Sequence, residues 1–204
     1  MTASPFRAVG RLAALGLLAG FLPPRLSAQV QWTARLGATA SSALVSDQIV
    51  SLISIRPSIA PTLLLGGSIP ADANGRRFGV ELGFTSGSYA SKENGTSTDL
   101  GTLRTLSATA GFEGQMAPAL RWRAALGVLA YLPAERTGIF QDGAPTRILA
   151  AAGLEYRRLL RAPWTLTAAL RYEYHRFTTQ HLQNQGYSGS QDVHRITLAV
   201  GVSR

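Results

Sequence analysis

The side chains best equipped for chemistry are three histidines, a few loop serines and four well-spaced aspartates, in a chain of 204 residues without cysteine. A zinc site needs ligands that converge from fixed positions. His175 and His194 belong to opposite faces of period-two stretches and His181 to a polar connection, so no metal site is expected. Ser188 or Ser190, with His194 and Asp192, have the types of a nucleophile, a base and an orienting acid. A loop serine beside a histidine at a strand end has the same composition without catalysis. A non-enzymatic protein is therefore expected, with a hydrolase acting at one rim as the alternative. Asp47, Asp99, Asp142 and Asp192 fall one per long connection or its margin, without the spacing of a calcium loop, and no cofactor is expected. Ile49, Ile139, Phe140, Leu182 and Tyr187 in the same connections would suit a contact surface.

The elements that must position these residues are extended. In Trp164–Phe177, every second residue reads Trp164, Leu166, Ala168, Leu170, Tyr172, Tyr174, and the other set reads Thr165, Thr167, Ala169, Arg171, Glu173, His175. A period of two over this length predicts a two-faced β-strand. The same alternation recurs over residues 31–40, 53–66, 77–89, 100–113, 120–132, 146–157 and 192–202, which makes eight strands. In the second of these, Pro57 and Pro61 each remove a ladder donor. Short connections follow the second, fourth and sixth strands. Longer polar ones follow the first, third, fifth and seventh, including residues 90–99. Strands of about 9–11 residues suffice to cross a bilayer at a tilt, and short turns on one rim with long loops on the other fit a transmembrane barrel.

The chain opens with Arg7 and Arg11, an apolar run from Leu12 to Leu22, and a small-residue exit at Leu26-Ser27-Ala28. This predicts a signal peptide over 1–28, with a single domain over 29–204. No later segment approaches the roughly 18 apolar residues of a membrane-spanning helix. Lys and Arg number 20 against 11 Asp and Glu. The positive charge is spread singly along strands rather than gathered in a patch with stacking aromatics, so nucleic acid is not an expected partner.

Two side-chain sets follow from the phase of the alternation. Trp32, Phe112, Trp122, Tyr156 and Trp164 lie on apolar faces at the ends of strands that share the short-turn rim, as an interfacial girdle would. Arg35, Arg56, Glu81, Glu113, Arg121, Arg123, Arg147, Glu155, Arg157, Arg171, Glu173 and Arg195 lie on the opposite faces. Buried charge must be paired, so these predict a salt-bridged lumen. Eight strands leave an interior only wide enough for side chains, and a wide pore is not expected.

With this pattern the chain resembles the small eight-stranded outer-membrane proteins of diderm bacteria, of the OmpA membrane domain and OmpX type. The resemblance covers residues 29–204 and rests on strand pattern rather than a signature motif. It implies an all-β, antiparallel, up-and-down transmembrane barrel in the cell outer membrane. Its partners would be outer-membrane lipid and lipopolysaccharide, with the barrel-assembly machinery for insertion. It also implies a monomer with a structural or surface-interaction role. Two departures stand out. Such barrels usually end on an aromatic residue, whereas this chain ends Val202-Ser203-Arg204. The lipid-A deacylase barrels carry a His-x-Ser pair, whereas His194 is followed by Arg195-Ile196. A soluble periplasmic barrel with its faces reversed, binding an apolar ligand, is the remaining alternative.

Overall fold

Stretches that each keep one apolar and one polar face can satisfy all their backbone donors, and leave no sheet edge, by closing into a ring. The computed structural model describes residues 30–47, 53–93, 95–135, 138–143, 145–184 and 189–204, and its sheet is closed. The leader expected over 1–28 lies outside the described residues, as do Ile49, Tyr187 and Ser188.

In chain order the strands are β1 (Gln31–Ser41), β2 (Val45–Asp47), β3 (Ile53–Pro57), β4 (Ala60–Pro70), β5 (Arg77–Glu93), β6 (Thr96–Ala117), β7 (Leu120–Pro133), β8 (Thr146–Arg161), β9 (Trp164–Phe177) and β10 (Gln191–Ser203). Eight of them form the ring, in the order β1-β4-β5-β6-β7-β8-β9-β10, every pair antiparallel. The ring closes where β1 meets β10, from Thr33 opposite Ser203 to Ser41 opposite Arg195. β2 and β3 make a small hairpin that continues the sheet along the far end of β5.

Turn chemistry sets the short rim. Asp72 Oδ1 accepts the backbone N–H of Asn74 at 2.9 Å and of Arg76 at 3.1 Å between β4 and β5. Pro118 and Ala119 join β6 to β7, and Ala162 and Pro163 join β8 to β9. Among the described residues, the long connections hold a 3-10 turn, Gly138–Phe140, and a short helix α1, Gln180–Asn184.

Two expectations are corrected here. The polar run 90–99 is strand rather than loop. β5 continues to Glu93 and β6 begins at Thr96, around a tip where Gly95 takes φ 89°. Serine and threonine tolerate an extended backbone, and one glycine with positive φ is enough to reverse it. The second stretch, 53–66, is not one strand. Pro57 faces Tyr89 while Thr62 faces Thr85, so β3 and β4 together carry one residue more than β5 across the break. The Ser58 N–H leaves the ladder register there and donates to Ser88 O at 2.9 Å. One extra residue flips every side chain beyond it. Ile55 is therefore buried and Arg56 exposed, while Thr62 and Leu64 are buried farther on. Arg56, expected in the lumen, is outside it. Arg56→Gln should leave the unfolding free energy within about 0.5 kcal/mol of the parent, as for other surface changes, in a urea titration of the folded barrel.

Candidate functional site

The charged interior is built from strand positions whose phase points inward, and its contacts form one continuous chain. On β1, Arg35 Nη1 donates to Glu81 Oε2 at 2.9 Å, its Nη2 contacts Glu155, and its Nε reaches Thr167 Oγ1 at 3.3 Å. Glu81 also binds Arg171, which pairs through Nη2 with Glu173 Oε1 at 2.6 Å. Glu173 in turn pairs with Arg195 Nη1 at 3.0 Å. In the other direction, Glu155 binds Arg157, whose Nη1 donates to Gln31 Oε1 at 2.7 Å. Arg157 Nη2 then lies 3.9 Å from Glu113 Oε1. Glu113 accepts the Ser68 hydroxyl at 2.8 Å and faces Arg77 at 3.6 Å and Arg121 at 3.9 Å. Such pairs fill and specify an interior more than they stabilise it, because desolvation offsets their attraction.

Of the residues expected in this network, Arg35, Glu81, Glu113, Arg171, Glu173 and Arg195 are buried. Arg121, Arg123, Arg147, Glu155 and Arg157 are half-buried, and Arg56 is exposed. Arg123 sits directly opposite Glu113 in the ladder, yet it is Arg77, Arg121 and Arg157 whose guanidinium groups come within 4 Å of that carboxylate. Arg147 donates instead to the carbonyl of Thr178. Arg77, half-buried and directly opposite Glu113, is a member that the sequence reading left out, although its phase places it inward.

Toward the long loops the charges give way to hydroxyls. Thr39 Oγ1 is 2.6 Å from Thr62 Oγ1 and 2.7 Å from Thr197 Oγ1, and Thr62 is 3.0 Å from Thr85. Arg195 Nη2 donates to Thr85 at 3.3 Å and to Thr105 at 3.2 Å, which ties this belt to the ion pairs. Above it, Tyr131 OH meets His175 Nε2 at 2.6 Å. The loop end is then filled by an apolar plug around Phe140, packed edge-on or tilted against Tyr89, Tyr131 and Phe177 and joined by Leu44, Leu129, Leu149 and Val193. Ile139, Phe140 and Leu182, read as a contact surface, are instead buried in this plug. A signal for it was present: Leu129, Leu149, Phe177 and Val193 all carry the inward phase at the loop ends of their strands.

On the outer wall, Trp32, Phe112, Tyr156 and Trp164 are exposed near the short-turn ends of their strands. Trp32 and Trp122 each lie across a glycine on the neighbouring strand. A Cβ on Gly67 would stand 3.1 Å from the Trp32 ring, and one on Gly114 would stand 2.7 Å from Trp122 Nε1. Lying flat on that glycine leaves Trp122 half-buried. Trp164 carries the Arg204 guanidinium 5.7 Å from its ring centre.

At the opposite rim His194 and Asp192 are engaged with neighbours other than each other. His194 Nδ1 is 2.6 Å from the hydroxyl of Tyr172, on whose ring it stacks. Asp192 accepts from Tyr174 OH at 2.7 Å and pairs with Arg176 at 3.4 Å. His181 pairs with Asp142 at 3.3 Å, and among the described residues no three His, Asp or Glu side chains gather as a metal site would require.

No family model and no curated protein sequence matches this chain. Among solved structures it is similar to neisserial surface protein A, with a TM-score of 0.55 and 11% identity over 86% of this chain and 96% of that one. It is also similar to Ail of Yersinia pestis, solved in complex with the heparin analogue sucrose octasulfate, at TM-score 0.48 and 16% identity over 86% of this chain and 99% of that one. OprG of Pseudomonas aeruginosa follows at 0.47 and 13%, over 85% and 93%. The likeness to neisserial surface protein A shows the fold, an eight-stranded antiparallel barrel of the kind the strand pattern suggested.

Two substitutions probe the interior. Arg35→Gln leaves Glu81 and Glu155 short of a partner and should cost about 3–5 kcal/mol, as breaking a buried pair does, with part recovered in Arg35→Gln/Glu81→Gln. Phe140→Ala should cost a similar amount, about 3–5 kcal/mol, by opening a cavity in the plug. Both are read from urea unfolding of the folded barrel.

Proposed function

We propose that the protein is a cell outer-membrane β-barrel with a closed interior and a structural or surface-interaction role, delivered by a leader over residues 1–28. The observation that carries this reading is the reversal of its faces. Ile148 is 80% exposed, Leu36 and Leu126 67% and Leu198 64%, while Arg35 is 5% and Glu81 and Glu173 3% exposed. An apolar band on every stave of the ring would be a severe liability in water, and it matches what a bilayer solvates. This arrangement also argues against the soluble barrel with an apolar interior. Trp32, Phe112, Trp122, Tyr156 and Trp164 then serve as the girdle at the headgroup level of one leaflet. The lumen is filled by ion pairs and threonines over most of its length and by the aromatic plug at its outer end, which supports a plugged barrel over a pore. Lipid and lipopolysaccharide surround a monomer inserted by the barrel-assembly machinery, without a cofactor. The separate engagement of His194 and Asp192 favours this over a lipid-modifying hydrolase.

An outer-membrane fraction run on a denaturing gel with and without boiling tests the reading. A closed ladder that survives cold detergent should give a band that shifts on boiling. In lipid vesicles, tryptophan fluorescence should be quenched more by lipids brominated near the headgroup than by lipids brominated deep in the chain. Recovery in a detergent-free periplasmic extract, without a shift, would overturn the membrane location.

A further inference from the structure

Charge inside the ring is not evenly balanced along its axis. From Arg195 through Glu173, Arg171, Glu81 and Arg35 to Glu155 the signs alternate one to one. Among the described residues, the short-turn mouth holds Arg77, Arg121, Arg123 and Arg157 around the carboxylate of Glu113; Arg157 also shares Glu155, and Arg77 also donates to Ser68 Oγ at 3.0 Å and to the Ser68 carbonyl at 2.7 Å. Three of these guanidinium groups approach a single oxygen, Glu113 Oε1, at 3.6, 3.9 and 3.9 Å. Those distances are ion-pair contacts longer than direct hydrogen bonds. Among the described residues, Arg121 Nε and Arg123 Nη2 are buried without an acceptor, and Arg123 has no carboxylate within 4 Å. The Arg123 guanidinium lies beside Gly79 on β5, its Nη1 at ordinary contact distance, 3.4 Å, from where a Cβ would stand.

We propose that this cluster is a binding site for a free phosphate-class oxyanion that enters from the short-turn mouth. Burying surplus positive charge and orphaned donors is costly, and an oxyanion answers both at once. Forked guanidinium donors match the several oxygens of phosphate better than a spherical ion does. The side chains of Arg77, Arg121 and Arg157 keep 17%, 18% and 12% of their surface exposed, so the cluster is reachable from solvent. Glu113 is the internal competitor, already holding the position where the donors converge. The groups lie inside the ring, so a lipid headgroup on the outer wall does not reach them, and the site does not depend on what surrounds the barrel.

The test is a calorimetric titration of inorganic phosphate into the full chain, folded in zwitterionic detergent at constant ionic strength. Chloride and vesicles of anionic phospholipid are run as separate arms. Saturable binding of phosphate is expected, weaker as salt is raised. Arg123→Gln should lower the affinity about tenfold, and Glu113→Gln should raise it about tenfold, as gain or loss of a charge-assisted contact does. Arg123→Lys, which keeps the charge but not the fork, should fall between. A purely structural role for Glu113 would weaken the fold without increasing phosphate uptake. Absence of saturable heat in the parent overturns the site, as does equal affinity in Arg123→Gln. Equal binding of chloride overturns the oxyanion, and binding to vesicles without free phosphate overturns the placement inside. Each variant is first checked for the heat-shifted band. If Glu113→Gln does not fold, the comparison of parent with Arg123→Gln decides.

Discussion

Everything in this molecule depends on the hydrogen-bonded seam between the first and last strands of the ring. With β1 joined to β10, the wall itself has no open seam, and backbone donors along it are satisfied within the sheet. Closure also turns a local property into a global one. A period of two along each strand becomes an inside and an outside for the whole wall, so a one-residue slip has consequences far from where it occurs. The break at Ser58 and Ile59 is such a slip. It sends Arg56 outward and Ile55 inward while leaving the rest of the ring in phase.

The interior is zoned along the axis, and each zone meets a different requirement. The ion-pair chain fills the width of the ring with long side chains whose charges neutralise one another across strands, Arg35 alone reaching from β1 to both β5 and β8. The threonine belt passes hydrogen bonds from strand to strand where the charges end. The aromatic plug then closes the loop end with residues drawn from strands and connections alike. Polar filling needs a partner for every donor, whereas apolar filling needs only shape, which suits an end where variable loops fold over the ring.

The outer wall follows a simpler rule. Large aliphatic side chains stand outward on each stave, and the tryptophans Trp32 and Trp122 cover neighbouring glycines that would otherwise leave the ladder bare. A side chain at Gly67 or Gly114 would have to displace the indole that lies over that position. The same two positions therefore orient the indoles and seal the sheet.

How much of this could be read without coordinates varies with the range of the interaction involved. The alternation in Trp164–Phe177 and its counterparts is local, so strand character, the face of most strand residues and the all-β barrel class are legible in the sequence. The polar run 90–99 misled because composition reports solubility, while the ladder of β5 on β6 is decided by pairing across the hairpin. Pro57 and Pro61 mark the second stretch as irregular, but the slip that turns Arg56 outward is a relation between two strands and is not fixed by either alone. Which guanidinium meets which carboxylate, the convergence of three of them on Glu113, and the burial of Phe140 from a loop likewise required tertiary structure. Phase says only that a side chain points inward; long flexible arginines choose their partners by distances across the ring, and those exist only once it has closed.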